Sequence, residues 1–389
     1  MAKPGFRLAL TATLLGLLVV LLGAYTRVTH AGLGCPDWPG CFGFISVPSS
    51  EAQLAHAQLN FPADPVVSHL GWSEMIHRYA AGALTLLILT LAGQALCRRR
   101  CRGQPVVLPL SILAMVLAQA AFGMWTVTLK LWPQVVTAHL LGGFTLLSLM
   151  FLLTLRLSGA CPAVPATAPG MKRWARVGLV AVAMQIALGG WVSTNYAALA
   201  CLDLPTCQGQ WWPQADFAAG FNFAQHIGPN YLGGHLDSEA RTAIHMTHRA
   251  GAVLVSLTLA RLAVRLWHSG LRGLATGLLA ALAAQVGIGL LNIVLHLPVM
   301  LAVAHNGGGV VLLLTLVLVN QRLGAWPGRL PVLVRLPLGS RLMYRDALPV
   351  AELMSLNDQS PENPIRPACR GRADRWPDRE PCAERAPSD

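Results

Sequence analysis

Charge is what this chain has least of. Only 12% of its 389 residues are Asp, Glu, Lys or Arg, about half the share usual in soluble domains. Hydrophobic residues make up 54%, and the mean hydropathy is +0.51. Such a composition excludes a water-soluble globular protein of this length. Acids are scarcest of all. Before the C-terminal tail there are only Asp37, Glu51, Asp64, Glu74, Asp203, Asp216, Asp237 and Glu239. The chain also has no HExxH, no paired CxxC and no CxxCH. Their absence removes the common zinc signatures and a covalently attached haem. The first apolar run has no clean small-residue cleavage site, so it reads as a retained span rather than a signal peptide.

Long apolar runs are abundant. Eight can cross roughly 30 Å of hydrocarbon, near 7–25, 75–96, 106–128, 134–157, 174–194, 242–266, 273–293 and 298–320. The fold class expected is an all-α integral membrane protein with eight transmembrane helices. The net charge of +12 is informative through its placement. With the N-terminus inside, 24 of the 29 Lys and Arg residues fall in cytoplasmic segments, leaving Arg27, Arg78, Lys130, Arg241 and Arg249. This is the positive-inside bias of a chain with both termini cytoplasmic, and it implies no nucleic-acid partner. Residues 321–389 are rich in Pro and Arg and lack helical periodicity, so they read as a flexible cytoplasmic tail.

The chain also repeats itself. Gly23, Cys35 and Cys41 recur 166 positions later as Gly189, Cys201 and Cys207. The same shift carries Ala118-Gln119-x-x-x-Gly123 onto Ala284-Gln285-x-x-x-Gly289, and His139 onto His305. His77-Arg78 matches His248-Arg249 with a shift of 171. Each half has an even number of spans, so the halves run the same way through the membrane, as two four-helix bundles related by a parallel repeat. The halves are 1–160 and 161–320.

Spans two, four, six and eight run in one direction, and each carries a histidine near the same outer depth: His77, His139, His248 and His305. Ionisable side chains within a membrane are costly and mark function, although a lone histidine can simply bond between helices. Two equal-depth pairs related by duplication suit axial ligation of an iron from both faces of a porphyrin. Glu74 lies three residues before His77, on the same helical face, whereas its repeat equivalent is His245. The halves are thus alike in ligands and unlike beside them, as expected if one site performs chemistry and the other holds a permanent cofactor. The alternative is that Glu74 caps the start of its span. Arg27, Arg78 and Arg249 could pair with porphyrin propionates or snorkel to the interface. Gln119, Gln185 and Gln285 each begin a Gln-x-x-x-Gly pattern and read mainly as helix-packing positions. His226 and His235 read as surface residues. The cysteine pairs could be a metal clip, a disulfide loop or a redox pair.

Taken in order, "TRVTHAGLGCPDWPGC", "EMIHRYAAG", "VTAHLLGG", "MTHRAG" and "VAHNGGG" resemble the haem A synthases (the CtaA/Cox15 group), in their cysteine-containing bacterial subgroup. The resemblance covers roughly residues 8–320. It implies oxidation of the C8 methyl of haem O to a formyl group, giving haem A for terminal oxidases. It makes His248 and His305 the axial ligands of a haem B cofactor and places His77 and His139 about the substrate haem O. Glu74 becomes the catalytic carboxylate. It further implies disulfides Cys35–Cys41 and Cys201–Cys207, consistent with an oxidising outer face, with a redox-active thiol pair as the alternative. Cys97, Cys101, Cys369 and Cys382 would stay reduced. The implied setting is the bacterial cytoplasmic (inner) membrane, with haem O synthase, cytochrome oxidase assembly factors and a homo-oligomer as expected partners. The rival readings are a quinone-linked di-haem electron-transfer cytochrome and a transporter. The chain departs from the family in its long outer loops, about 26–74 and 193–241, and in its tail.

Overall fold

In the computed structural model, residues 3–100, 103–159, 164 and 170–324 are described. Most of the expected tail, with Cys101, Cys369 and Cys382, lies outside them. Among the described residues, eight helices are long and apolar enough to cross a membrane. They are α1 (Phe6–Val28), α3 (Ser68–Cys97), α4 (Val107–Thr128), α5 (Pro133–Ser158), α6 (Met171–Thr194), α8 (Ser238–His268), α9 (Arg272–Val294) and α10 (Val299–Arg322). Two shorter helices, α2 (Glu51–Asn60) and α7 (Phe217–Gly220), sit in the long loops. The chain is an all-helical integral membrane protein.

Two spans begin earlier than hydropathy indicates. α3 starts at Ser68 and α8 at Ser238, because polar residues, Ser68, His69, Ser73 and Glu74 in one and Ser238, Glu239 and Arg241 in the other, interrupt the apolar run there. The α8 start is fixed by Asp237, whose side chain accepts from the Ala240 amide at 2.8 Å, a normal N-cap bond. For α3 the consequence is functional. Glu74 lies beyond the first turn, so it is not a cap for the helix start.

α1, α3, α4 and α5 close a ring, each packed on the next and α5 returning to α1; α6, α8, α9 and α10 do the same. The rings meet through α1, α5, α6 and α10. Lipid tails are as apolar as leucine, so such contacts depend on close packing rather than on escape from water. The principal core fits that demand. Ala9, Ala12, Ala175 and Ala275 are fully buried among Leu84, Ile88, Leu147, Met150, Leu259, Leu262 and Leu316. Much of this core sits toward the end where α1 begins and α10 ends. The opposite end carries the long loops and the histidines.

Backbone conformation repeats between the rings. Among the described residues, eight non-glycine residues have φ between +49° and +62°, a region that costs a bulky residue about 1–2 kcal/mol. They form four pairs 166 positions apart: His30 and Tyr196, Phe42 and Gln208, Lys130 and His296, Leu131 and Leu297. The same turn bond holds the last pair, from Leu131 N to Thr126 O at 2.8 Å and from Leu297 N to Asn292 O at 2.7 Å.

One of these pairs joins the rings. The His30 and Tyr196 rings stack with centroids 5.5 Å apart. Arg27 lies over Tyr196 at 4.4 Å, donates to its hydroxyl at 2.8 Å and donates to Ser193 O at 2.6 Å. Burial, then the Arg27 charge, pushes the His30 pKa down. The unfolded chain therefore takes up this proton near the ordinary histidine value of about 6.5 while the folded chain resists it. His30 thus lowers stability as pH falls below that value. Comparing melting at pH 7.5 and 5.5, the acid-induced fall should be larger for wild type than for His30→Asn. Equal falls would show that His30 is not pH-sensitive in this seam.

Candidate functional site

The glycine landmarks of the repeat have a structural role. His77 sits on Gly23 of α1, His139 on Gly123 of α4, His248 on Gly189 of α6 and His305 on Gly289 of α9. A methyl group at those glycines would stand 3.0 Å, 3.5 Å, 3.2 Å and 3.0 Å from the Cε1 of its histidine, respectively. Three of the four distances are tighter than ordinary contact, so the imidazoles lie flush on the neighbouring helix. The structure brings together the histidines paired in the sequence reading. His77 and His139 lie within electrostatic reach of one another, as do His248 and His305.

The glutamines do more than pack. Gln185 Nε2 lies 3.0 Å from His248 Nδ1 and donates to the His248 carbonyl at 2.9 Å. Gln285 Nε2 lies 3.4 Å from His305 Nε2. Each is accommodated by a glycine three residues after a histidine, Gly251 for Gln185 and Gly308 for Gln285, and Gln119 is likewise set against Gly142. The His77 pair alone departs: Val19 stands where the glutamine would be and Ala80 where the glycine would be.

Several ring nitrogens in this region are unsatisfied. Nδ1 of His77, His139, His245 and His305 is buried without a hydrogen-bond partner. Leaving such an atom unpaired costs about 1–3 kcal/mol. A ligand that takes up imidazole nitrogens would remove that cost. Among the described residues no three His, Cys, Asp or Glu side chains converge on a metal-sized point. A bare ion held by three or four side chains is therefore a poor match, while ligation by a pair of imidazoles fits. A cavity of about 570 Å³ opens elsewhere at the loop end, lined in part by Tyr25, His30, His69, Ser73 and His296. None of the four paired histidines lines it.

Glu74 is 5% exposed. Its Oε1 pairs with Arg78 Nη2 at 2.5 Å, and its Oε2 accepts from the Cys35 amide at 3.0 Å. Its counterpart His245 is 4% exposed. The carboxylate is thus tied to the loop above as well as to its own helix.

Both cysteine loops are closed by disulfides, Cys35–Cys41 and Cys201–Cys207. In the chain-entropy account, each short closure contributes roughly 2 kcal/mol. Cys97 carries a free thiol. Each loop folds around an aspartate that sequence reasoning overlooked. Asp37 accepts from the Phe42 and Gly43 amides at 2.6 Å and 2.8 Å, and Asp203 from the Gln208 and Gly209 amides at 2.7 Å and 3.0 Å. The shared Cys-x-Asp-x-Pro-x-Cys spacing was the available signal. The Thr206 hydroxyl, then the Gly209 amide, hold the Asp203 pKa down to about 2. The stability this carboxylate contributes is present above its unfolded pKa near 4 and disappears as pH falls through about 2.

The three candidate arginines are largely engaged. Arg78 Nη1 donates to the carbonyls of Asp37 at 2.9 Å, of Pro39 at 3.3 Å and, most closely, of Gly40. Arg249 donates to Thr206 O at 2.9 Å and Cys201 O at 2.8 Å. Arg27 serves the ring seam, and Nε of Arg27 and of Arg249 is buried without a partner. His226 and His235 are exposed, as expected.

Comparison with known proteins agrees with this layout. The family model for the cytochrome oxidase assembly protein COX15-CtaA matches residues 6–317. A protein of Shewanella oneidensis named Heme A synthase is 48% identical over 306 residues, covering 78% of this chain and 92% of its own length. Proteins of that name from Wolbachia pipientis wMel and Halalkalibacterium halodurans are 26% and 25% identical, covering 78% and 57% of this chain and 88% and 70% of their own lengths.

Proposed function

The chain belongs to the COX15-CtaA family, and on that premise we propose that it is a haem A synthase, oxidising the C8 methyl of haem O to a formyl group. One observation carries the reading: two pairs of imidazoles, the members of each within electrostatic reach and every ring seated on glycine, with Nδ1 of His77, His139 and His305 buried and unpaired. His248 and His305 would hold haem B, and His77 and His139 the substrate haem O. When bound, the haem iron supplies the redox chemistry.

The protein's own contribution begins with placement. The glycine seats fix where each imidazole stands, and Gln185 holds the α8 backbone beside the His248 ring through the His248 carbonyl. Glu74 is buried and bonded at both oxygens, yet each carboxylate oxygen keeps a further lone pair. It can hold water or take up a proton at Oε1 or Oε2 beside the His77 site. Burial of this carboxylate limits competing water. The propionates of either haem would draw on remaining donors of Arg27 or Arg249, since both guanidinium ends of Arg78 are committed to Glu74 and the loop carbonyls.

We read the two rings as products of an internal duplication, supported by the paired positive-φ residues, disulfides and glycine seats. The arginine distribution supports placement in a bacterial cytoplasmic membrane with both termini cytoplasmic. Haem O synthase and oxidase assembly factors are the partners this reaction would require before and after it.

The seats give a direct test. Replacing Gly289 by Val should push the His305 ring off α9, with packing strain of about 1–3 kcal/mol. Haem B retained through purification should fall roughly tenfold, while a similar change at Gly277, whose added Cβ would meet nothing within 4 Å, leaves it unaltered. Full haem B content in Gly289→Val would remove the seat from the account.

A further inference from the structure

We propose that Arg78 is the positioning residue for Glu74, coupling its carboxylate to the disulfide loop so that the two move as one body. This rests on the reading of Glu74 as the catalytic carboxylate. Glu74 and Arg78 are four residues apart on α3, on one helical face, and their side chains are 6% and 12% exposed. Between them they grip both ends of the small ring closed by Cys35–Cys41. Glu74 Oε2 takes the Cys35 amide at its start, and Arg78 Nη1 takes the Gly40 carbonyl just before its end, together with that of Asp37. Arg78 Nη2 completes the circuit at Glu74 Oε1, 2.5 Å away.

The second ring shows which way the dependence runs. Arg249 grips its own disulfide loop at Thr206 O and Cys201 O although the position equivalent to Glu74 is His245. A loop of this kind is therefore held by its arginine without a carboxylate at the Glu74 position. In the first ring the loop and Arg78 have an additional role, which is to hold Glu74. A glutamate has three rotatable bonds and would otherwise sample several rotamers. Bonds at both oxygens select one, which is what a reacting group needs from its supporting side chains. Arg78 reaches two kinds of acceptor at once because the guanidinium is a planar fork; a lysine ammonium is a single point charge.

The test uses full-length Arg78→Gln, Arg78→Lys, Glu74→Gln and the Arg78→Gln/Glu74→Gln double variant, purified from membranes. Four quantities are read: haem A formed per enzyme from haem O, KM for haem O, haem B content, and hydrogen exchange at the Cys35 amide. Arg78→Gln should lower kcat by about 10–100-fold, the usual cost of losing an outer orienting partner, with KM and haem B near wild type. Arg78→Lys should recover part of kcat. Adding Arg78→Gln to Glu74→Gln should cost nothing further in kcat. Exchange at Cys35 should accelerate at least tenfold in Arg78→Gln, whether or not the enzyme turns over. A rise in KM with unchanged kcat would assign Arg78 to substrate binding and overturn the proposal. So would full additivity in the double variant, or unchanged exchange at Cys35. Normal turnover by Glu74→Gln alone would defeat the catalytic reading of Glu74, while the Cys35 exchange would still decide whether Arg78 couples the two. Should Arg78→Gln fail to accumulate, Arg78→Lys carries the same kcat, KM and exchange readouts, and wild-type values in all three overturn the proposal.

Discussion

Glu74→Gln ends haem A formation while leaving haem B at the wild-type level: that is the expected result of the most consequential single substitution. Gln keeps the size and one acceptor oxygen of Glu but cannot take up a proton at physiological pH. Loss of a positioned acid or base commonly costs 10²–10⁴-fold in rate, so product should fall below a hundredth of wild type. Haem B survives because Glu74 belongs to the ring of α1, α3, α4 and α5, whereas His248 and His305 stand on α8 and α10. The measurement is the haem A to haem O ratio in extracted pigment, beside the haem B per polypeptide. A normal ratio would remove Glu74 from the chemistry and leave it a structural tie between α3 and its loop.

The second large effect separates the two histidine pairs. His248→Ala and His305→Ala should each lose haem B, with affinity down by more than about a hundredfold, since even outer partners of such ligands cost 10–100-fold. Without that cofactor they should also make no haem A. His77→Ala and His139→Ala should keep haem B and lose bound haem O. Redox titration and pigment extraction of the four variants distinguish the outcomes. If all four variants lost both pigments together, the division of labour between the rings would be wrong.

Much of this arrangement was legible in the sequence because it is periodic. The eight spans and the 166-residue shift are patterns of spacing, and the pairing of His77 with His139 and His248 with His305 is read from them. Other parts were invisible for identifiable reasons. The early starts of α3 and α8 are interrupted by polar residues, and hydropathy reports partition into lipid, not backbone conformation. The glycines stood out as repeated letters, but their purpose depends on how closely one helix lies against the next. Asp37 and Asp203 bond amides of their own loops, which only a closed loop reveals. Arg27, Arg78 and Arg249 looked free for a ligand because the sequence could not show the loop carbonyls they serve. Tyr196, on the seam between rings, carried no signal beyond its place opposite His30.

What the first ring holds separates a synthase from an electron carrier. Wild-type protein, purified in mild detergent from cells able to make haem O, should be extracted with acidic acetone and its pigments identified by mass. Haem B accompanied by haem O or haem A is the predicted result, with haem B lost selectively in His305→Ala. Haem B alone, at two per polypeptide, would contradict it and mark the chain as a di-haem electron carrier.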